Sequence, residues 1–592
     1  MSIHIFTRTW VVIVMITIIS VMVYGNTFEA PFVFDDHQQI VENHRVKNLD
    51  QHLTLDNLNK QRPLTNLTFA LNYHFHGLDV RGYHLVNLLI HILAGLSVFW
   101  LALSVLRQLL KRSGIRTEEY SDFQIRLMAL ITAMIFVLHP LQTQAVTYIV
   151  QRYTSMAALF YILAVLFYIL ARQRQIRGLS PVRYIPLFLL CLFSGVLAFL
   201  SKQSAASLPG ILILTEFMLF THGSQAWRKK LSWIIPLSCV FLVFVFYNTG
   251  GFSGGIDFGS LLEDVSSRMQ ETDTVSRLEY LFTQFTVIPL YIKLFLFPVG
   301  LNADPMLPFA KSFFDGFTPW GFLLLLSIII VGFMARKRYP IIFFAVFWFF
   351  ITLSVESSII PIRDAMFEHR MYLPLFGPAL LVAWLGVKMG KRFAIAASMF
   401  AVMAIVILGF LTYERNKVWS EELLFWQNTV EGNQDNFRAW TNLGLALERE
   451  GDLQGALTSY NRALMIKPEF PYALLNLGGL LGKSGNLKDA EDVLKRAVNR
   501  SPASAKIRNN LGVVLAGQGK LEESVDHFRE AFRADRFFLE ASNNLALTYH
   551  NLNKHEKAAK QFEESLAISP EDEFAQRWLK RLTGTRQENL TQ

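Results

Sequence analysis

Cysteine and charge are both scarce. Two cysteines, Cys191 and Cys239, sit inside apolar runs of a 592-residue chain, so neither a disulfide framework nor a cysteine-based zinc spacing organises the fold. Charged residues make up 17% of the chain against 52% hydrophobic, whereas soluble domains carry about a quarter charged residues. The shortage is local. Residues 1–412 are apolar and aromatic, and the remainder is polar and rich in Ala, Asn, Glu and Lys, which marks a domain boundary. A basic stripe with interleaved aromatics is also missing, and its absence argues against a nucleic-acid partner despite the net charge of +9. The excess positive charge lies in short loops between apolar segments, where it sets membrane topology.

A bilayer core needs roughly 20 apolar residues per helix. Runs of about that length occur at 9–25, 84–106, 126–140, 153–171, 184–200, 204–222, 231–248, 317–335, 340–360, 371–388 and 393–413. These predict eleven spans. The first reads as an uncleaved membrane helix, with a cleaved signal peptide as the alternative. A further apolar stretch, 279–299, is interrupted by Pro289, Lys293 and Pro298 and is expected to be re-entrant or interfacial. Every even-numbered exit is basic: Arg107, Lys111, Arg112 and Arg116; Arg172, Arg174, Arg177 and Arg183; Arg228, Lys229 and Lys230; Arg336, Lys337 and Arg338; Lys388, Lys391 and Arg392. Those loops are expected in the cytoplasm, with the N-terminus inside and everything after the last span outside. No inverted repeat or matched pair of interrupted helices points to a transporter.

The polar tail repeats every 34 residues. Asn-Leu recurs at Asn442, Asn476, Asn510 and Asn544; Gly451, Gly485, Gly519 and Asn553 share one register, and Ala456, Ala490, Ser524 and Ala558 another. Pro468, Pro502 and Pro570 end three of the units. The pattern resembles the tetratricopeptide (TPR) family, whose unit is a pair of antiparallel helices. The expected fold class is therefore all-α: a transmembrane helical bundle over 1–413, a connecting helix within 414–440, and four TPR repeats over 441–592. Such stacks form a groove suited to an extended peptide; a spacer or a homodimer contact is the alternative.

Candidate chemistry gathers in the loops expected outside. Asp35 and Asp36 are adjacent in Phe32-Val33-Phe34-Asp35-Asp36-His37. A solvated acidic turn is the plain alternative for that pair. Arg62-Pro63-Leu64-Thr65, Gly82-Tyr83-His84-Leu85-Val86-Asn87, His139-Pro140, Gln151-Arg152-Tyr153-Thr154, Lys202 and Glu368-His369-Arg370-Met371-Tyr372-Leu373-Pro374 follow in order. This ordered series, followed by TPR units, resembles the protein O-mannosyltransferases built from transmembrane and TPR segments, and their bacterial relatives in particular. The resemblance covers nearly the whole chain. It implies a fold of the GT-C superfamily, a polyprenyl-phosphate-linked sugar (mannose or another hexose) as donor, and Ser or Thr of an extracytoplasmic protein as acceptor, presented by the TPR groove. It also implies that the carboxylate of the first outer loop is catalytic.

The residue types agree with that chemistry. A hydroxyl attacking C1 of a sugar needs a base, and Asp35 is the expected base, with Asp36 orienting it or binding the acceptor. The leaving lipid phosphate needs cations; Arg152, Lys202 and Arg370 are the expected donor-phosphate ligands, lipid-headgroup snorkelling being the alternative for each. Arg62, His139, Glu368 and His369 complete the candidate pocket. No metal is assigned, although Asp35, Asp36, His37 and His139 have the chemistry to hold a divalent cation. The expected location is an integral protein of a bacterial inner membrane with the TPR domain in the periplasm, or alternatively of the endoplasmic reticulum with a lumenal TPR domain. Transfer to a glycan or lipid acceptor and a non-enzymatic TPR scaffold are the competing readings. A scaffold needs neither many spans nor an acid pair with outer-face cations, and a glycan-modifying enzyme has less need of a peptide groove.

Overall fold

In lipid every backbone N–H and C=O must find its partner within the chain, which helices achieve segment by segment. In the computed structural model, which describes residues 8–590 apart from 55–59, 113–119, 221–233, 243–274, 359 and 391–393, the described residues are helical with no strand. They divide into two compact units, Met1–Phe425 and Trp426–Gln592.

In the first unit seven helical segments are long and apolar enough to cross a membrane, or eight if the bent pair Asp122–Leu138 and Pro140–Val146, angled by 53°, is one span. Two of the eleven expected spans are shorter than predicted. Pro340–Leu353 has 14 residues and Phe376–Gly390 has 15, or about 21–23 Å of helix. The first stops where Ser354–Ser358 turns away. The second starts late because Glu368–Met371 is a 3-10 turn and Pro374 delays the helix. The expected span 231–248 lies largely outside the described residues.

The segment expected to be re-entrant or interfacial is one unbroken 20-residue helix, Arg277–Leu296, a form that does not fit a re-entrant loop. Its start is fixed by a capping box: the Glu279 N–H donates to Ser276 Oγ at 3.2 Å and the Ser276 N–H to Glu279 Oε2 at 2.8 Å. Pro289 lies inside it and lacks the N–H that would bond the carbonyl of Phe285 four residues earlier. Gly321 of the helix Thr318–Ala335 fits against that carbonyl so closely that a Cβ there would sit 1.8 Å from Phe285 O. Proline and glycine thus form a matched contact between two helices.

Two buried polar groups in this unit show how pairing is achieved. His91 donates from Nε2 to Val137 O at 3.1 Å and accepts from Tyr372 Oη at Nδ1, 2.7 Å away, the packing and hydrogen-bonding role expected of it. Arg172 and Glu216 form a two-pronged buried ion pair, Nη2–Oε1 2.6 Å and Nε–Oε2 2.8 Å, with Tyr168 Oη donating to Oε2 at 2.8 Å.

The second unit contains four helix pairs: Phe437–Arg449 with Leu453–Ile466, Pro471–Lys483 with Leu487–Arg500, Ala505–Gly517 with Leu521–Ala534, and Leu539–Asn551 with His555–Ile568; Glu573–Leu590 follows. The first pair begins at Phe437, four residues before the expected boundary, because Asn436 caps it by accepting from the Ala439 N–H at 2.9 Å. Gly451, Gly485, Gly519 and Asn553 turn each pair with φ of +86°, +83°, +81° and +58°, the left-handed geometry that Gly and Asn tolerate best. Ala456, Ala490, Ser524 and Ala558 are fully buried where paired helices meet.

The Pro289–Gly321 contact has a direct test. Gly321→Ala is expected to destabilise the detergent-extracted protein by about 1–3 kcal/mol, the usual cost of overpacking, because backbone must move. Gly386→Ala, whose Cβ would meet nothing within 4 Å, is expected to be neutral or slightly stabilising. Thermal unfolding of both variants distinguishes them.

Candidate functional site

The acid pair splits into two different residues. Asp36 is fully buried. Its Oδ2 accepts from the Val33 N–H at 3.1 Å and its Oδ1 from the Val150 N–H at 2.7 Å. Burial pushes its carboxyl well above the usual carboxylate range, against the pull of those two amides. The turn it closes forces Phe34 to φ +53°, an unfavourable conformation for a bulky residue. Asp35 is left on the exposed side, its N–H donating to Tyr148 Oη at 2.8 Å. Tyr148 lies between the rings of Phe34 and Trp419, at 6.2 and 5.6 Å. Burial, then the Asp35 and Asp36 charges, raise its phenol well above the ordinary value, so it remains a neutral hydrogen-bonding group. Acceptor binding by Asp36 is corrected by this geometry, since its carboxylate is sealed from solvent. Its position suits only the orienting role.

Arg152 is also corrected. It is fully buried and its donors are committed: Nε to Asn87 Oδ1 at 2.7 Å, Nη1 to Asn72 Oδ1 at 2.7 Å and Thr68 Oγ1 at 3.1 Å, and Nη2 to Tyr83 O at 3.0 Å. Its guanidinium stacks 4.5 Å over the ring of Phe69. The two asparagines are oriented in turn, Asn72 donating to Gly82 O and Asn87 to Val146 O. Arg152 therefore ties Pro63–His76 and Val80–Arg112 to its own helix, and a phosphate cannot reach it. Two of the ordered motifs, 82–87 and 151–154, meet here to build structure.

The other cations gather elsewhere, around a carboxylate that the sequence reading missed. Lys202 Nζ lies 2.6 Å from Glu356 Oε1 and 3.0 Å from Thr154 Oγ1. Burial lowers the Lys202 pKa, partly countered by Glu356. Burial raises that of Glu356, but Lys202, Arg370 and Arg62 bring it below its ordinary value overall. Arg370 is buried and braces the loop that presents Glu356: Nη1 donates to Glu356 O at 3.3 Å and Ala365 O at 2.9 Å, Nη2 to Asp364 O at 2.7 Å. Its fork is thus largely spent on carbonyls, which corrects the expected two-pronged grip on a donor phosphate. Arg62 caps Pro63–His76 with φ +53° and stacks 4.6 Å over Tyr153. Tyr153 lies within electrostatic reach of Asp35 and Asp36 as well as Arg62.

His369 borders that cluster. Burial and then Lys202, Arg370 and Arg62 hold it well below the ordinary imidazole value; as a neutral ring it donates from Nδ1 to Gln144 Oε1 at 3.1 Å. Glu368 points another way, Oε1 accepting from the Asn302 N–H at 2.6 Å and Oε2 lying 3.9 Å from Arg415. Burial raises its pKa to about 7. His139 is committed to Phe295 O at 3.0 Å and the Leu141 N–H at 3.2 Å, a joint at the bend after Leu138 rather than a pocket group. Among the described residues no three His, Cys, Asp or Glu side chains come together as metal ligands. Glu356 had one signal in the sequence, a glutamate flanked by serines inside an apolar stretch expected to span, and an ionisable residue there is a functional candidate by default.

Comparison with known proteins bears on what this arrangement serves. Residues 412–568 match the family model of the "Cilia and flagella-associated protein 70 middle TPR-like domain". The protein O-mannosyl-transferase Tmtc3 of Drosophila melanogaster is 26% identical over 529 residues, covering 77% of this chain and 55% of its own. TMTC3 of Homo sapiens, also named a protein O-mannosyl-transferase, is 24% identical over 484 residues, covering 75% and 50%. The chain is thus similar, along most of its length, to proteins named as protein O-mannosyl-transferases. It spans about half the length of these curated relatives. Among solved structures, the TPR protein YrrB, described as having an unusual peptide-binding site, is 25% identical over 27% of this chain and 81% of its own, with a TM-score of 0.24. The chain has several candidate spans among its described residues and a TPR-like domain, as its sequence predicted.

Two measurements check the site's assignments. Arg152→Lys, which loses the fork and its stacking, is expected to destabilise the protein by about 2–5 kcal/mol, seen in thermal unfolding of the purified chain. Glu368 generates a pH dependence. A carboxyl whose folded pKa is raised keeps a proton that the unfolded chain has lost, so stability falls as pH rises between the two values. The Glu368 contribution is therefore complete below the free glutamate pKa of about 4.3 and is lost as pH climbs to about 7. Glu368→Gln should flatten the unfolding midpoint over that window relative to the parent.

Proposed function

We propose that the chain transfers a sugar, mannose or another hexose, from a polyprenyl phosphate to a Ser or Thr hydroxyl of a protein on the extracytoplasmic side, with inversion at C1. The observation that carries this reading is the division of the acid pair: Asp36 is pinned on both oxygens, while Asp35 is turned out on the same strained turn, its N–H held by Tyr148 Oη. Asp35 takes the proton as the acceptor oxygen bonds to C1. The bond from C1 to the phosphate oxygen breaks, and its electron pair leaves with the lipid phosphate. Lys202 and Arg62 meet that charge. Arg370 holds the loop beside them, and His369 walls the cluster as a neutral ring. The TPR unit recruits the polypeptide. The names of the relatives support transfer to protein over transfer to glycan. The basic loops after alternate apolar segments support placing the acid turn and the TPR unit on the same outer face.

Asp35→Asn is expected to lower transfer by roughly 10²–10⁴ with donor affinity and unfolding midpoint unchanged, as for loss of a general base. Asp36→Asn should instead lower the midpoint together with activity, since one of its two amide donors would then face an NH₂ group. Activity of purified protein with a lipid-phosphate sugar, measured beside thermal unfolding, separates the two. Full transfer in Asp35→Asn ends the base assignment.

A further inference from the structure

Three cations and two carboxylates meet in a largely buried cluster: Arg62, Lys202 and Arg370 lie within electrostatic reach of Glu356, and Arg370 within reach of Asp364 as well. Arg370 spends its fork largely on carbonyls, and Arg62 Nε is buried with no hydrogen-bond partner among the described residues. The cluster thus keeps an excess of positive charge with donors to spare, and Glu356 answers only part of it. Buried charge without full compensation is costly, and an incoming anion relieves it.

We propose that Glu356 is the resident counter-ion of Lys202 and competes with the lipid phosphate for its ammonium, so that it sets how tightly that phosphate is held and how fast it leaves. The inference rests on the function proposed above. The two partners differ in freedom. The Glu356 main chain is fixed from two sides, its carbonyl accepting from Tyr280 Oη at 2.6 Å and Arg370 Nη1 at 3.3 Å. Lys202 reaches it on a flexible four-carbon stem, with Thr154 Oγ1 as a second anchor. The lysine can therefore turn to a phosphate while the carboxylate stays in place and draws it back.

The chemistry of transfer makes that return useful. The donor is a phosphodiester with a single negative charge. Breaking the bond from C1 to oxygen leaves a phosphomonoester, whose second pKa near 6 gives it close to two charges at neutral pH. The product is thus the stronger ligand for Lys202 and Arg62, and a site built from cations alone would retain it. A fixed carboxylate 2.6 Å from the lysine weakens that retention at each cycle.

The test uses the full chain in lipid nanodiscs, with undecaprenyl phosphate as probe and undecaprenol as the uncharged control. Glu356→Gln is expected to bind the phosphate about tenfold more tightly, from the worth of a largely desolvated ion pair, and the alcohol no differently. In turnover its donor KM should fall together with kcat, and added undecaprenyl phosphate should inhibit more strongly. Equal or weaker phosphate binding by Glu356→Gln, with the parent still preferring phosphate over alcohol, overturns the inference and leaves the transferase reading intact. A parent chain that binds both lipids alike overturns the reading and the inference together. Should the amide variant not survive extraction, Glu356→Asp withdraws the carboxylate while keeping its charge, and tighter phosphate binding is expected there too.

Discussion

A carboxylate without water must be held by dipoles fixed in place, and Asp36 is held by the amides of Val33 and Val150. The rest of the site depends on that grip. The bond to Val33 closes the turn, the closed turn drives Phe34 into left-handed backbone, and Asp35 is thereby turned outward. The bond to Val150 ties the turn to the start of the helix that carries Arg152, Tyr153 and Thr154. Two residues on, Arg152 gathers the next two helices through Asn72, Asn87 and Tyr83. A single helix start thus receives the whole first loop region and sets where the exposed acid stands.

Hydrogen-bond satisfaction separates the cations by role. Arg152 has four neutral protein acceptors and an aromatic ring, so most of its donors are satisfied and it acts as a structural post. Arg370 braces the loop beyond Leu353 by taking its carbonyls. Lys202 and Arg62 have fewer protein partners and feel each other's charge, which leaves them able to respond to an added anion. A guanidinium used as a post and one used as a ligand carry the same charge. Only the count of its acceptors distinguishes them.

How much of this was legible follows from the same distinction. The repeats were readable because a 34-residue period fixes the turns and the small buried residues directly. The division of labour within Asp35-Asp36 was not, because neighbouring residues in a turn differ only in which way the backbone aims them. Nor could the string Gln-Arg-Tyr-Thr reveal that Arg152 would be enclosed by asparagines from two other helices. Glu356 was hidden by reading 340–360 as a span, when polar residues after Leu353 end the helix. Pro289 misled in the opposite direction: proline usually interrupts a helix, but here Gly321 fills the place beside the carbonyl it leaves.

The Arg172–Glu216 pair bears on how the chain is assembled. Gln203–Phe220 is among the less apolar of the candidate spans, with mean hydropathy 1.3, and it carries an acidic residue near its end. An ionised glutamate facing lipid alone would be costly. Its guanidinium partner and the tyrosine that donates to it stand on the helix Arg152–Ile176, two helices earlier in the chain. A segment synthesised later therefore finds its counter-charge already waiting in one synthesised earlier. The cost of the acidic residue is thus offset by a helix from earlier in the chain, so the two segments are stable in lipid only as a pair.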